Sequence, residues 1–363
     1  MKLWKEASSL IIAAKSKSQK YGINALESSY SVLTVKRHAN SSVLPNYHVF
    51  PGGHTDKADS SREWRKVFSQ ASCRYVQDSL DKMNQNVTLQ IFKSSPEESL
   101  PRSISLRIAA IRETFEECGL LICKRFADES QDFDKHLQIE STCQWRQKVL
   151  SDPQNFIKLC IENKCYPNVM ALNLWSNWMT PLSLPTKKFS VAFFLAVLDD
   201  CYDTIADQSE IAEIGWYPPS ELLKNSDQGK INIIFPQFYE LSRLLRFKDI
   251  AALSMFAKEV NKSDCEPTLP IICFFDSKTV TLLPGDDMYP ENPIDYTYEE
   301  AELLKERIDQ CNKRHRMAVY NSDPIDSLEI KELIVENVAS KYSQILPLSS
   351  KSSPNKTDTR SKL

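Results

Sequence analysis

The segment Arg112-Glu113-Thr114-Phe115-Glu116-Glu117-Cys118-Gly119-Leu120 carries the densest concentration of chemically useful groups in the chain. On a helix, Glu113, Glu116 and Glu117 fall at i, i+3 and i+4, so their carboxylates share one face. Like charges at that spacing cost roughly a few tenths of a kcal/mol per pair unless a cation offsets them. A hard divalent ion takes oxygen ligands of this kind, and Arg112 is placed to orient a carboxylate that does not bind metal. The alternative is a solvated acidic face without chemistry.

Other residues invite weaker readings. Lys36 and Arg37 close a strand before the glycine pair Gly52-Gly53, where basic side chains could hold a substrate phosphate. Lys187 and Lys188 precede a buried strand and could do the same, although a solvated strand end is the default for both pairs. Trp175 and Trp178 could stack on an adenine, but indoles more often pack. His38, His48 and His54 surround the glycine pair without having to converge, and Mg²⁺ prefers oxygen, so they receive no role.

Positioning these groups requires particular elements. Trp4 to Ala14 reads as a first strand, with a basic-flanked presequence as the alternative, and Ser29 to Arg37 alternates as a second. YHVFPGGHTD, Tyr47 to Asp56, gives a strand and a glycine turn. Trp64, Val67 and Phe68 recur at helical spacing within Arg62 to Asn84. Ser105 to Cys118 is a helix with Ile108, Ile111 and Phe115 on one stripe and Gly119 closing it. One or two helices are expected in Asp132 to Asn163, a turn at Trp175 to Pro181, and a buried strand at Phe189 to Leu198. Ile211 to Leu222 gives a strand, a proline turn and a helix; Pro236 to Val260 is helical. Leu269 to Leu283 forms a hairpin turning at Asp276 to Lys278, and Tyr298 to Arg316 is a charged amphipathic helix. This order predicts an α/β fold with a mixed sheet.

Composition narrows the classes. The 363 residues are 42% hydrophobic and 26% charged, with 45 Lys and Arg against 48 Asp and Glu, which is the balance of a globular chain. A net charge of -3 gives no field for nucleic acid. The longest apolar run, Val191 to Leu198, is far too short for a membrane span. The ten cysteines are scattered without a Cys-x-x-Cys pair. Cys118 with Cys123 and Cys160 with Cys165 lack histidines at finger-like spacing, so reduced thiols and no structural zinc are expected.

The order Gly53, acid, Arg112-Glu113, Glu116-Glu117, Gly119 resembles the signature of the Nudix hydrolases. In that family the glycine and the arginine are about fourteen residues apart; here the offset is 112 minus 53, or 59, so about 45 residues are inserted inside the motif. Counting from Gly53 puts the first acid on Asp59; counting back from Arg112 puts the position on Ile104. Thr114 stands where an aliphatic residue is usual. The phrases HVFPGG, AAIRETFEECG, WMTP, FPQFYEL and LPGDDMY are similar to the coenzyme A diphosphatase branch of the family, over about Trp4 to Tyr289.

The resemblance implies a Nudix α/β/α sandwich with a helical insertion and a C-terminal extension. It implies a domain over residues 1–250, with the insertion at about 61–101, an α+β extension at 251–348 packed on it, and a disordered tail at 349–363. Glu113, Glu116 and Glu117 would hold Mg²⁺ or Mn²⁺, with Arg112 beside them and Arg37, Gly52 and Gly53 toward substrate. A later loop often supplies a further acid, Glu210 or Glu213 here, of which Glu210 is preferred. The implied reaction cleaves coenzyme A and acyl-CoA to 3′,5′-ADP and the (acyl-)4′-phosphopantetheine. The alternatives are a diphosphatase for NADH or ADP-ribose, or a binding module without turnover. Ser361-Lys362-Leu363 matches the tripeptide read by the peroxisomal import receptor, so a peroxisomal location is expected.

Overall fold

The fold comes from a computed structural model that describes residues 4–16, 29–72, 76, 80, 90–93, 100–130, 134–207, 209–260, 266–275, 278–295, 314–321 and 328–332. The expected tail and its terminal tripeptide lie outside these residues, as do residues 298–313 of the expected charged helix. That helix cannot reach Arg316, which begins a strand, Arg316–Asn321.

The first strand, β1 (Lys5–Lys15), is apolar on consecutive residues because both of its faces are covered. Leu10, Ile12 and Ala14 enter one core layer, while Ile11 and Ala13 enter the other. β1 runs antiparallel to β2 (Tyr30–Arg37) and parallel to the later strand Phe189–Leu198, from Lys5 opposite Phe189 to Ala14 opposite Leu198. With β3 (Tyr47–Val49), β4 (Gly52–His54) and further strands the sheet is nine-stranded and mixed, as the element order predicts.

Two helical layers cover it. On one face lies α2 (Arg102–Cys118), which the sequence stripe predicts from Ser105 onward. Ile104, Ile108, Ile111 and Phe115 are buried against the sheet layer, which excludes Ile104 as the motif's acid. The helix is buried nearly all round, because α1 (Glu63–Ser69), α3 (Thr142–Ser151) and α4 (Asn155–Glu162) add Trp64, Val67, Trp145, Val149 and Phe156 to the same layer. Gly119 ends it at φ 76°, a left-handed conformation that a side chain would strain. Its last carbonyls, those of Glu116 and Glu117, accept from the Arg146 guanidinium at 2.7 and 3.0 Å. The opposite face is covered by α5 (Pro219–Asp227), α6 (Phe235–Leu244) and α7 (Ile250–Val260), which carry Leu222, Leu241, Leu244, Leu253 and Phe256 inward. Ile271–Phe274 and Lys278–Leu282 pair as the expected hairpin and open a separate four-stranded sheet. Among the described residues no helix is long and apolar enough to cross a membrane.

The expected turn at Trp175 to Pro181 is instead largely strand, Asn173–Met179. Its register shifts between Leu174 and Ser176. The irregularity accompanies an arrangement in which Trp175, Ser176 and Trp178 all reach one buried carboxylate, Glu240 of α6, at 2.6 to 2.7 Å. The tryptophans are therefore packing residues, each satisfied at its indole nitrogen.

Candidate active site

The insertion leaves the motif after Asp59, and the fold returns Arg112 to it. Asp56 caps a short 3-10 turn, Lys57–Ser60, and Asp59 accepts the Asp56 N–H at 2.8 Å. Trp64 anchors this turn by donating from Nε1 to the Ala58 carbonyl at 2.8 Å. Asp59 is thus fixed by local turn geometry before the inserted residues begin. Arg112 meets it through Nε to Oδ1 at 2.8 Å and Nη2 to Oδ2 at 3.0 Å.

The remaining donors of Arg112 are committed as well. Nη2 donates to the His54 carbonyl at 3.0 Å, and Nη1 to Glu113 Oε1 at 2.8 Å and Glu116 Oε1 at 2.9 Å. A guanidinium has five N–H groups, and these five bonds use them all. Burial alone would depress Arg112, but Asp59, Glu113 and Glu116 hold it charged, well above its ordinary range. Arg112 is therefore the electrostatic centre of the carboxylate cluster.

Glu117 is held differently. It is 3% exposed and accepts the Gly52 N–H at 3.0 Å. Gly53 lies so near the helix that a Cβ there would sit 2.4 Å from Glu113 Oε2. Gly52 has φ 151°, and a Cβ on it would meet the Ser8 carbonyl at 2.3 Å. The glycine pair lets β4 pass between β1 and the acidic helix, which explains why these two positions lack side chains.

Three carboxylates, Asp59, Glu113 and Glu116, share one fully used guanidinium, and Glu117, held by the Gly52 N–H, adds its charge to theirs. Burial pushes Glu113 up to about 7, against the pull of Arg112. Glu116 and Glu117 are raised too, first by burial; the Glu210 charge contributes to both. Buried acidic oxygens with surplus negative charge are the donor set a hard divalent cation takes, so the residues fit such an ion. The reading as a solvated acidic face fails, because Glu116 and Glu117 are 8% and 3% exposed.

The later acids separate. Asp207 accepts from the backbone N–H groups of Ser209, Glu210 and Ile211, a turn that sets Glu210 at the rim of the cluster. Glu213 is paired to Lys36 at 2.8 Å instead. Lys36 follows Thr34 in strand alternation, on the face opposite Leu33 and Val35, whereas Arg37 shares their face with α2. Arg37 donates to Ser41 Oγ and the Val43 carbonyl, and its charge acts against the raised Glu117. Lys188 is consumed by the carbonyls of Pro181, Leu182 and Leu184. Sequence reasoning missed Asp207, Arg146 and Glu240. Only Asp207 carried a local signal, an aspartate three residues before Glu210.

A glycine pair, an ion-paired acid and an Arg-Glu helix with three carboxylates, on a mixed sheet between helical layers, define a Nudix hydrolase, and the chain belongs to that family. The matching family model is described as the NUDT19 Nudix domain and spans residues 4–244. The chain is 34% identical to the acyl-coenzyme A diphosphatase NUDT19 of Xenopus laevis, with 96% of each chain covered. It is 29% identical to the Homo sapiens protein of the same name, over 88% of this chain and 87% of that one. A crystal structure of a Nudix hydrolase from Alicyclobacillus acidocaldarius, 17% identical, covers 72% of this chain and 97% of its own with a TM-score of 0.51, a likeness of fold.

Proposed function

We propose that this enzyme hydrolyses the diphosphate linkage of coenzyme A and acyl-CoA, leaving 3′,5′-ADP and the (acyl-)4′-phosphopantetheine, with Mg²⁺ or Mn²⁺ as cofactor. The observation that carries the chemistry is the cluster of Asp59, Glu113 and Glu116 on one saturated guanidinium with the buried Glu117 beside them. The names of the relatives support the substrate. Glu113, Glu116 and Glu117 would hold the cation, which when bound neutralises diphosphate oxygens and lowers the pKa of a coordinated water. Arg112 fixes Glu113 and Glu116 in place, and the Gly52 N–H fixes Glu117. Arg37 offers positive charge to the substrate phosphates, and Glu210 at the rim accepts the proton of the attacking water. In this reading residues 1–250 carry the chemistry and 251–348 form an extension packed on them. Ser361 to Leu363 direct the chain to peroxisomes, which imaging with and without the tripeptide tests.

The deciding experiment compares CoA, NADH and ADP-ribose side by side with Mg²⁺, using the full chain and its Glu116→Gln and Glu117→Gln variants. Turnover should be fastest on CoA and fall at least about a hundredfold in folded variants. Preference for NADH or ADP-ribose would replace the substrate assignment. Near-normal turnover in both variants would remove the metal assignment, and no turnover on any of the three would leave a binding module.

A further inference from the structure

Scattered in sequence, three of the cysteines converge in the fold. Cys123 lies on the strand Cys123–Arg125, Cys160 on α4, and Cys165 on the strand Cys165–Pro167. The two strands pair antiparallel, with Arg125 opposite Cys165 and Cys123 opposite Pro167, so the two cysteines are diagonal neighbours. The helix precedes its strand by a short turn and brings Cys160 over them. All three sulfur atoms lie within 4.8 Å of one another. Cys160 and Cys165 are fully buried and Cys123 is 3% exposed, within the core layer that contains Phe68, Phe156 and Tyr166.

We propose that Cys123, Cys160 and Cys165 form a second metal site, a buried three-sulfur centre for the thiophilic d¹⁰ cation Cu(I), since Zn(II) in a closed site takes a fourth ligand. Thiolate sulfur selects soft cations, whereas the carboxylate cluster is built from oxygen and suits a hard one, so the two sites sort different ions. Among the described residues no carboxylate or imidazole joins the sulfur group. Metal–sulfur bonds of about 2.3 Å around one centre require sulfurs a little under 4 Å apart, a spacing the cluster reaches with small side-chain shifts. Binding forms three metal–sulfur bonds and releases the three thiol protons to solvent. Arg125 lies beside Cys165 and offsets part of the remaining negative charge. The ligands come from separate elements, so metal affinity adds directly to the stability of the folded lobe.

The test uses the full chain, reduced and stripped by chelator, then titrated anaerobically with Cu(I) or Zn(II) in separate arms against a competing chelator, with Mg²⁺ as control. One equivalent of Cu(I) should be retained and no equivalent of Zn(II), melting should rise by several degrees with Cu(I), and X-ray absorption of the Cu(I) form should show three sulfurs at about 2.3 Å. Cys160→Ser and Cys123→Ala should each lose the retained equivalent and the melting shift. Cys143→Ser, at an exposed cysteine, should keep both. No retention of Cu(I), retention unchanged in both variants, or a shell of nitrogen or oxygen in the unmodified chain would each overturn the site. The absorption measurement on the unmodified chain decides the matter even if the variants fail to fold.

Discussion

Asp59 and Arg112, 53 residues apart in the chain, meet in a two-point ion pair with side chains 1% and 3% exposed. The pair closes the motif across the insertion, and Arg112 can order Glu113 and Glu116 only while Asp59 holds its other edge. Asp59→Ala strands two buried guanidinium N–H groups while Glu113 and Glu116 keep Arg112 paired, so it should cost at least about 2 kcal/mol of stability, at about 1–3 kcal/mol for each stranded donor. Asp59→Asn keeps the shape and should cost less, but turnover should still fall as Arg112 shifts. Urea unfolding with steady-state kinetics checks both; normal stability in Asp59→Ala would mean that the pair is not structural.

Glycine substitutions should separate the backbone from the chemistry. The three atoms nearest a Cβ on Gly53 all belong to the Glu113 carboxylate, so Gly53→Ala should lower turnover at least about tenfold by displacing it, with a smaller effect on unfolding. Gly52→Ala meets the Ser8 backbone and should destabilise by more than about 2 kcal/mol. Gly229, at φ 66° with nothing within 4 Å, is the control. Gly229→Ala should cost about 1 kcal/mol and leave turnover unchanged. Equal effects at all three positions would refute the close-approach account.

Much of this site was legible before any coordinates, because helical spacing alone puts Glu113, Glu116 and Glu117 together and Gly119 ends their helix. The first acid was not, since an insertion makes counting from either end arbitrary. Only the turn that buries Asp59 beside Arg112 chooses between Asp59 and Ile104. Glu210 is preferred over Glu213 in the sequence, but no local feature there separates them. Their separation follows from the register shift where Lys36 pairs with Glu213 and Arg37 with Ile211, an irregularity that alternation cannot anticipate. Arg146 is 30 residues from the carbonyl it caps, and the three converging cysteines come from separate elements, so neither left a local trace.

On the opposite face, Glu240 is fully buried and accepts from Trp175, Ser176, Trp178 and Arg243. Glu240→Ala would strand buried donors, each costing about 1–3 kcal/mol, so destabilisation of at least about 3 kcal/mol is expected. Because Glu240 lies across the sheet from α2, the folded fraction should retain near-normal KM and turnover per active molecule. A selective rise in KM with unchanged stability would instead place the tryptophans at a substrate surface.

The acidic cluster also fixes how stability should respond to pH and metal. The folded state holds Glu113 protonated up to about 7, far above an exposed glutamate, and Glu116 and Glu117 are shifted the same way. Between the unfolded value near 4.5 and that folded value, the native chain binds more protons than the unfolded chain. The carboxylate contribution to the stability of the metal-free protein should therefore fall as pH rises through this window, the opposite of a salt-bridged carboxylate with a depressed pKa. A divalent cation held by the deprotonated carboxylates, as proposed above, should restore what ionisation removes. Burial shifts His48, His54, His136 and His315 the other way, so the comparison is with Glu113→Gln: from pH 5 to pH 8 with chelator the unmodified chain should show a decline in melting temperature relative to that variant, and millimolar Mg²⁺ should raise melting by several degrees at pH 8 and by little at pH 5. Glu113→Gln should also shrink the Mg²⁺ effect. An equal Mg²⁺ shift at both pH values would show that the ion binds elsewhere than at these carboxylates.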